Sequence, residues 1–338
     1  MRKIFNRTII LLFLGILLVN LSVIVCNLPL NNVNLSKRAY RVDFSFDGLH
    51  INSPEISGRI HIDNNWSAVK AVGLCSGNGT FNEPYLIENL VINGSGNGSC
   101  ILIENSNVYF KIANCTIFKA VGPFWFHAGI SLNNVSNARI TENKCSLNVK
   151  GRFLKFSDNN TITNNKICNN YEKEIGIGDS NYNLISEDIV NNKIEIGIWV
   201  IKGFNNTISR NTVNNNTHIG IVLDQSANNS ISRNAVSNNT NFGISLYLSD
   251  DNKVSRNTVN DNDYGIYLYH SKFNLISENT MLRNAVCIDE ENCVGNIFIN
   301  NSICNYGQEN AISGFNLLSL LIIMGIILLL SYKTTKKS

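Results

Sequence analysis

The sequence predicts an all-β chain folded as a right-handed parallel β-helix, a solenoid with three short strands in each coil of about 22–23 residues. Three observations predict this fold: a repeat of that period, apolar residues that alternate within short runs, and asparagines between the runs. Parallel strands connected in this way coil with a right-handed sense. We expect a cap at the N-terminal end of the solenoid and hydrophobic helices at both chain termini.

The repeat is visible in three columns of residues that stay in register. One asparagine column contains Asn160, Asn183, Asn206, Asn229, Asn252, Asn274 and Asn296. A second column, which we expect to form a structural ladder of stacked side chains, contains Asn143, Asn165, Asp188, Asn211, Asn234, Asn257, Asn279 and Asn301. A glycine column contains Gly129, Gly151, Gly176, Gly197, Gly220, Gly243 and Gly265, and we expect it to allow tight corners.

The composition agrees with a folded β-solenoid. The 338 residues include 58 asparagines, yet 44% of the chain is hydrophobic, which is enough to bury a core. Within each repeat, Ile219, Ile221 and Leu223 alternate with the period of two that is typical of a strand. Amphipathic helices are excluded because apolar residues do not recur three and four residues apart.

The two ends of the chain carry membrane signals. A basic start precedes an apolar run over 9–25, and a second apolar run precedes three lysines. We therefore divide the chain into a signal peptide or signal-anchor (1–26), a spacer (27–58), the β-helix (59–305), a transmembrane helix (315–332) and a cytoplasmic basic tail (333–338). His61–Leu74 is expected to be the cap, a short strand followed by an amphipathic helix. This layout predicts a cell-membrane protein, single-pass or doubly anchored, with the membrane as a partner and the β-helix outside the cell.

The charge distribution argues against a nucleic-acid partner. Without the six basic residues near the termini, 22 basic residues remain against 25 acidic ones, so the repeats carry no basic field. The six are Arg2, Lys3, Arg7, Lys333, Lys336 and Lys337.

Nine cysteines fit an oxidising compartment, and two pairs are disulfide candidates. Cys145 and Cys168 lie one repeat apart, whereas Cys75 and Cys100 bracket a glycine-rich stretch. No cysteine spacing is typical of a zinc site, and we predict no metal centre.

Aromatic side chains on one outward strand face are the first ligand-binding candidate. One outward column contains Trp199, Val222, Ser245 and Tyr267, and the next contains Asp224, Tyr247 and Tyr269. Exposed aromatic rings can stack on sugar rings, while a carboxylate accepts hydrogen bonds from hydroxyls. Aromatic residues are also good strand formers, so the same column is compatible with a purely structural role.

An arginine column is the second ligand-binding candidate. Arg210, Arg233 and Arg256 stack in successive repeats and could bind an acidic polysaccharide through bidentate contacts. The alternative is a solvated edge, because glutamates flank the column at Glu187 and Glu278.

Neither a catalytic set nor a cofactor site is evident. We expect no cofactor, with calcium as a weak alternative at the acidic turns that contain Asp250, Asp251, Asp261 and Asp263. The five histidines share no ligand spacing. The catalytic residues, if there are any, are unknown.

The repeat resembles the right-handed parallel β-helix repeats of NosD-like proteins and of carbohydrate-binding and sugar-hydrolase domains. The resemblance rests on the pattern Asn-x-Ile-Ser-x-Asn-x-Val followed by Gly-Ile-x-Leu, over about residues 60–305. The entry segment GNGTFNEPYLIENLVING and the terminal apolar run also look like archaeal cell-surface β-helix proteins. The resemblance is specific for fold and poor for function.

The apolar runs at both termini, the two outward candidates and this resemblance together predict a membrane-anchored extracellular module that binds a polysaccharide or cell-surface glycan, or that serves as a surface structural protein. The alternatives are a polysaccharide lyase or glycoside hydrolase, which would need clustered acids, and a purely structural spacer.

Overall fold

The structure is a computed structural model and describes residues 55–57, 59–95, 98–122, 127–191 and 195–302. Within these ranges the chain forms a parallel β-helix whose strands contribute in turn to three ten-stranded sheets. Every pairing between successive coils is parallel, and strand n pairs with strand n+3. The predicted solenoid with three strands per coil is confirmed.

Sheet 1 consists of three-residue strands that are paired in chain order. Its strands are β1 (Glu55–Ser57), β4 (Val91–Asn93), β7 (Thr116–Phe118), β10 (Lys144–Ser146), β13 (Lys166–Cys168), β16 (Ile189–Asn191), β19 (Thr212–Asn214), β22 (Ala235–Ser237), β25 (Thr258–Asn260) and β28 (Thr280–Leu282). Because β1 already pairs with β4, the solenoid begins before the predicted boundary at residue 59.

Sheet 2 has longer strands, most of them of six residues, and therefore offers the broadest outer face. Its strands are β2 (Ile60–Asp63), β5 (Ile101–Ser106), β8 (Ile130–Val135), β11 (Lys150–Lys155), β14 (Lys173–Gly178), β17 (Ile196–Ile201), β20 (Ile219–Asp224), β23 (Phe242–Tyr247), β26 (Tyr264–Tyr269) and β29 (Val286–Glu291).

Sheet 3 completes each coil with strands of three or four residues. Its strands are β3 (Tyr85–Glu88), β6 (Phe110–Ala113), β9 (Ala138–Thr141), β12 (Thr161–Thr163), β15 (Leu184–Ser186), β18 (Thr207–Ser209), β21 (Ser230–Ser232), β24 (Lys253–Ser255), β27 (Leu275–Ser277) and β30 (Ile297–Ile299).

The predicted strand and helix at the start of the solenoid are confirmed as β2 and α1 (Trp66–Ala71). Trp66 and Val69 of α1 are buried in the same core as the strands. Trp66 stacks on Tyr85 at 4.9 Å between ring centroids and donates a hydrogen bond from Nε1 to Ser106 Oγ (2.8 Å).

The core consists of apolar columns that run through the coils. In the repeats around β20, each coil contributes one inward residue from sheet 1, one from sheet 3 and two from sheet 2, for example Val213, Ile208, Ile221 and Leu223. All four are completely buried. Such stacking of like side chains explains why the sequence repeats so strictly, since each coil meets almost the same surface above and below.

The corners between strands use left-handed backbone. Four residues per coil have positive φ, as at Lys202 (51°), Asn205 (57°), Arg210 (58°) and Asn215 (59°). Asparagine tolerates this region better than most residues, which explains part of the asparagine excess. At the residue after each such position the chain changes direction. The backbone N–H of that residue therefore has no carbonyl acceptor in the next coil.

Buried side chains satisfy those amides. In the predicted ladder, each backbone N–H donates to the side-chain oxygen of the next member, as from Asn211 to Asn234 (2.9 Å) and from Asn234 to Asn257 (2.9 Å). The other predicted asparagine column does the same, as from Asn206 to Asn229 (2.8 Å).

Two further ladders are present that the sequence analysis missed. Asparagines form one of them, with Asn216 N–H donating to Asn239 Oδ1 (3.1 Å). Serines form the other, with Ser226 N–H donating to Ser249 Oγ (3.0 Å). Each corner of the regular coils thus has a column of buried acceptors, although Gly203 interrupts the serine column.

Asp188 is the one acidic member of the predicted ladder. Its Oδ1 accepts from Asn165 N–H at 2.7 Å, whereas Oδ2 is buried without a hydrogen-bond partner among the described residues. Neighbouring members have an Nδ2 donor there, as Asn211 Nδ2 donates to Ile185 O (3.0 Å). Burial raises the pKa of Asp188 to about 6, so the protonated acid, which can donate like an amide, predominates only below about pH 6.

A buried polar group interrupts the apolar columns near Asp188. Arg152 is completely buried at a position that is in register with Ile130 and Ile175. Its Nη2 lies 3.8 Å from Cys145 Sγ. The positive charge of Arg152 lowers the pKa values of Glu174 and Asp188, but burial outweighs it and raises the pKa of Glu174 to about 8.

The glycine column provides space rather than unusual dihedral angles. Of its members, none has positive φ. At Gly220 a Cβ would lie 2.5 Å from Val236 Cγ1 and 2.6 Å from Gly243 O, so the position has no room for a side chain, although it lies within β20 and not at the expected corner. Close approach of successive coils requires glycine here. Gly176 does not belong to the column, because it is in register with Trp199.

Both predicted disulfides are absent, because Cys75, Cys100 and Cys145 are free buried thiols. Cys145 is in register with Ile167, whereas Cys168 is in register with Ser146. That offset of one residue directs the two cysteine side chains to opposite faces of sheet 1, since side chains alternate along a strand. Cys168 and Cys287 are disulfide-bonded to partners other than these thiols.

The predicted localisation needs correction. In the ranges that the structure describes, no helix is long and apolar enough to cross a membrane, and α1 has only six residues. This finding contradicts the predicted single-pass or doubly anchored cell-membrane protein, and we withdraw that prediction. The terminal hydrophobic helices (1–26 and 315–332), the basic tail and residues 27–54 of the spacer lie outside the described residues.

Gly220→Ala should destabilise the solenoid by about 1–3 kcal/mol, because the new methyl group overlaps the next coil. Gly178→Ala is the matched control, since its Cβ would meet no atom closer than 3.6 Å. Urea unfolding measures both changes. Equal effects of the two substitutions would contradict the steric explanation.

The two buried acids should make the protein less stable as the pH rises. Their pKa values in the folded state, about 6 for Asp188 and about 8 for Glu174, exceed the ordinary values of 3.8 and 4.5. The stability gained from their protonated forms is therefore complete below about pH 4 and is lost as the pH rises through 6 and 8. Urea midpoints between pH 4.5 and 9 measure this loss.

Glu174→Gln should remove the loss that Glu174 causes between about pH 4.5 and 8, which is at most about 1.4 kcal/mol per pH unit and is the part that remains above pH 7. Glu142→Gln, an exposed corner residue, is the control and should leave the pH profile unchanged. An unaltered profile in Glu174→Gln would show that Glu174 is already ionised.

Candidate functional site: an aromatic slot on sheet 2

The outer face of sheet 2 carries the candidate site. Outward-pointing residues at equivalent positions of successive strands form three columns there. We number the columns in the order in which they occur along each strand. The first contains Lys150, Lys173, Ile196, Ile219, Phe242, Tyr264 and Val286. The second contains Phe153, Gly176, Trp199, Val222, Ser245, Tyr267 and Asp289. The third contains Lys155, Gly178, Ile201, Asp224, Tyr247, Tyr269 and Glu291.

Small residues between large rings create a cavity of about 440 Å³ in this face. Its floor contains Val222 and Ser245, which point outward yet are only 5% and 4% exposed because taller side chains flank them. The lining is Ile196, Trp199, His218, Ile219, Val222, Asp224, Phe242, Ser245, Tyr247, Tyr267 and Tyr269. We call this cavity the slot.

The wall on the C-terminal side of the slot consists of stacked aromatic rings. Phe242 stacks on Tyr267 with 4.6 Å between ring centroids, and Tyr247 stacks on Tyr269 with 5.1 Å. In each pair the second ring belongs to β26 of the next coil and still lines the slot. These contacts fix the orientation of the wall.

Trp199 forms the opposite wall. The Nζ atom of Lys173 lies 3.6 Å from the centroid of the Trp199 ring, close enough for a cation–π interaction. Lys173 comes from β14, the strand on the side of β17 that faces away from the slot. Burial and the charge of Lys150 lower the pKa of Lys173, while nearby carboxylates act in the opposite direction.

Asp224 is the acidic group in the slot. Burial raises its pKa above the ordinary value, although hydrogen bonds with Gln225 and Trp199 and the charges of Lys173 and Lys202 oppose the shift. Its Oδ1 is buried and has no hydrogen-bond partner among the described residues. A ligand hydroxyl could reach this oxygen only if a neighbouring side chain moved, although Asp224 as a whole is only partly buried.

Acidic groups lie beyond the wall. Tyr267 donates a hydrogen bond from its hydroxyl to Glu291 Oε2 (3.0 Å). Burial, that hydrogen bond and the charges of Glu291 and Asp289 raise the pKa of Tyr267 to about 12, so the phenol stays protonated.

The structure brings together one of the two predicted sets. Trp199, Asp224, Tyr247, Tyr267 and Tyr269 all line the slot. Sequence reasoning missed Phe242 and His218. A signal for Phe242 was present, because Phe242 immediately precedes the glycine column as Ile196 and Ile219 do.

The arginine column lies elsewhere, at the corner between sheets 3 and 1. Arg210 is 3.6 Å from Glu187, and Arg256 Nε is 2.6 Å from Glu278 Oε2. Both pairs are exposed, which agrees with the alternative of a solvated edge. Arg233 is exposed between them.

The described residues include no group of three or more His, Cys, Asp or Glu side chains placed to hold a metal ion. At the acidic turns, Asp261 binds Arg283 (2.6 Å) and Asp250 Oδ1 accepts from the backbone N–H of Lys272 (2.7 Å). Calcium binding stays an untested alternative.

The chain belongs to the family described as "Right handed beta helix region", whose model matches residues 70–217 and 153–310. The predicted right-handed sense and the resemblance to β-helix proteins are thereby confirmed. The narrower likeness to NosD-like and archaeal proteins has no such support. No curated protein matches the chain in sequence.

Several solved structures share the fold at low sequence identity. A double mutant of the periplasmic alginate epimerase AlgG has a TM-score of 0.50 and 16% identity, covering 74% of this chain and 85% of that one. DFA-IIIase from Arthrobacter chlorophenolicus has a TM-score of 0.50 and 12% identity, covering 76% and 86%. A single mutant of AlgG has a TM-score of 0.49 and 20% identity, covering 62% of this chain and only 59% of that one.

Proposed function

We propose that the protein binds a polysaccharide and that the slot on sheet 2 is the binding site. The observation that carries this proposal is the slot itself, a concave site with aromatic walls and a partly exposed carboxyl group. Aromatic rings that are held rigidly by stacking suit the apolar faces of sugar rings, and a few polar groups fix the orientation of a ligand.

The fold is compatible with this proposal. One protein with the same fold is named as an epimerase of alginate, a polysaccharide. At 16% identity this likeness carries only the fold, so the proposal depends on the slot.

A polysaccharide lyase or glycoside hydrolase is the second candidate, and Asp224 is the observation that favours it. A carboxyl group whose pKa is raised by burial can act as a general acid towards a glycosidic oxygen. Hydrolysis by a carboxylate pair is less well supported. Asp224 and Glu291 are three strands apart in one column, roughly 14 Å, whereas such pairs are about 5–9.5 Å apart.

Retention of the full-length protein on immobilised polysaccharides tests the proposal. Trp199→Ala combined with Tyr267→Ala should weaken retention about 5- to 150-fold, since two aromatic contacts worth about 0.5–1.5 kcal/mol each are lost. The matched control, Tyr182→Asn with Phe204→Ala, removes two exposed aromatic rings from another edge and should change nothing.

Three other outcomes would contradict the proposal in different ways. Shortened polysaccharide chains would favour the enzyme, and Asp224→Asn should then abolish the shortening. If Arg233→Asn lost retention and the slot variant did not, the binding site would be the arginine column. No retention on any polysaccharide would favour the structural spacer.

A further inference from the structure

We infer that the slot accepts one uncharged sugar ring between Trp199 and the wall formed by Phe242 and Tyr247, and so selects neutral over acidic polysaccharides. This inference rests on the proposed function and specifies its ligand. It follows from the spacing of the walls, from the faces of the rings that remain open, and from the charges in the lining.

The spacing leaves room for one ring. Trp199, Val222 and Ser245 are directly opposite one another on β17, β20 and β23. The two walls are therefore two strands apart, roughly 10 Å at the usual strand spacing. Between the two walls, β20 contributes only Val222 to this column, and the Val222 side chain is shorter than the aromatic rings of the walls.

The open faces of the rings point into this gap. The Lys173 ammonium group, which comes from β14, lies 3.6 Å from the centroid of the Trp199 ring and covers one of its faces. Tyr267 and Tyr269 cover the faces of Phe242 and Tyr247 that are directed towards β26. The faces left for a ligand are those on either side of Val222, an arrangement that suits a ring inserted between them.

The charges in the lining favour an uncharged ligand. No lysine or arginine of the described residues lines the slot, and the Lys173 ammonium group lies against the outer face of Trp199. A sugar carboxylate or sulfate would meet Asp224 with no cation in the lining itself, since Lys173 and Lys202, whose charges act on Asp224, lie outside it. Hydroxyl groups, in contrast, can donate hydrogen bonds to the Asp224 carboxyl group, which is partly exposed in the lining.

Two other ionisable groups affect the balance of charge in and around the slot. His218 lines the slot, with its ring 6.2 Å from that of Phe242, and Lys202 is an exposed corner residue near Asp224. Lys202 does not belong to the lining. The test therefore includes His218→Gln, which removes the one lining side chain that can become cationic.

Val222→Trp tests the inference directly. The second column already holds Trp199 and Tyr267, so the sheet should accept an indole there, which would fill the gap. We expect affinity for a neutral glucan or mannan to fall at least tenfold, with the far-UV circular dichroism and thermal midpoint preserved. Ser230→Trp, an outward substitution on sheet 3, is the control and should bind normally.

Paired ligands and Asp224 variants complete the experiment. Dissociation constants are measured for a neutral glucan and a polyuronate of equal length, and the neutral polymer should bind at least tenfold more tightly. Asp224→Asn should retain neutral binding within about threefold, whereas Asp224→Leu should lose it. His218→Gln should leave the preference unchanged.

The results separate the two proposals. Tighter binding of the polyuronate, or normal binding by Val222→Trp, would overturn the inference while leaving polysaccharide binding intact. Failure of every polymer to bind would overturn both.

Discussion

The amide N–H groups at the corners are the constraint on which this β-helix depends. Each left-handed corner turns the chain away from the next coil's carbonyl groups, and a buried amide without a partner costs about 1–3 kcal/mol. Columns of asparagine and serine side chains accept those hydrogen bonds, coil after coil. Successive coils must therefore stay in strict register, because each acceptor side chain belongs to the next coil. The flat outer face of sheet 2, and with it the slot, depends on that register.

The sequence predicted the features that repeat. The period, the three strands and two of the ladders could be read from the asparagine columns because the same requirement recurs in every coil. The serine ladder was missed because serine is too common for one column to stand out. The third asparagine ladder was hidden by its irregular start, where Glu174 accepts from the Asn170 N–H.

The features that occur once could not be predicted in the same way. Nothing in the local sequence marks Arg152 as a core residue, since its inward position follows only from its register with Ile130 and Ile175. Similarly, the offset between Cys145 and Cys168 depends on a coil of 22 residues rather than 23. Half of the slot was predictable from the outward columns. The depth of the slot was not predictable, because it depends on how small residues and aromatic rings alternate between neighbouring strands.

The corner geometry also bears on how asparagine-linked glycosylation signals in this sequence are to be interpreted. A left-handed corner favours asparagine, the ladder position after it requires asparagine, and the following strand often begins with serine or threonine. Together these produce the triplets Asn205-Asn206-Thr207 and Asn228-Asn229-Ser230, with φ of 57° and 56° at the first residue. Both match the glycosylation signal. Such triplets arise from the packing of the solenoid alone and are not independent evidence that the protein is glycosylated or exported.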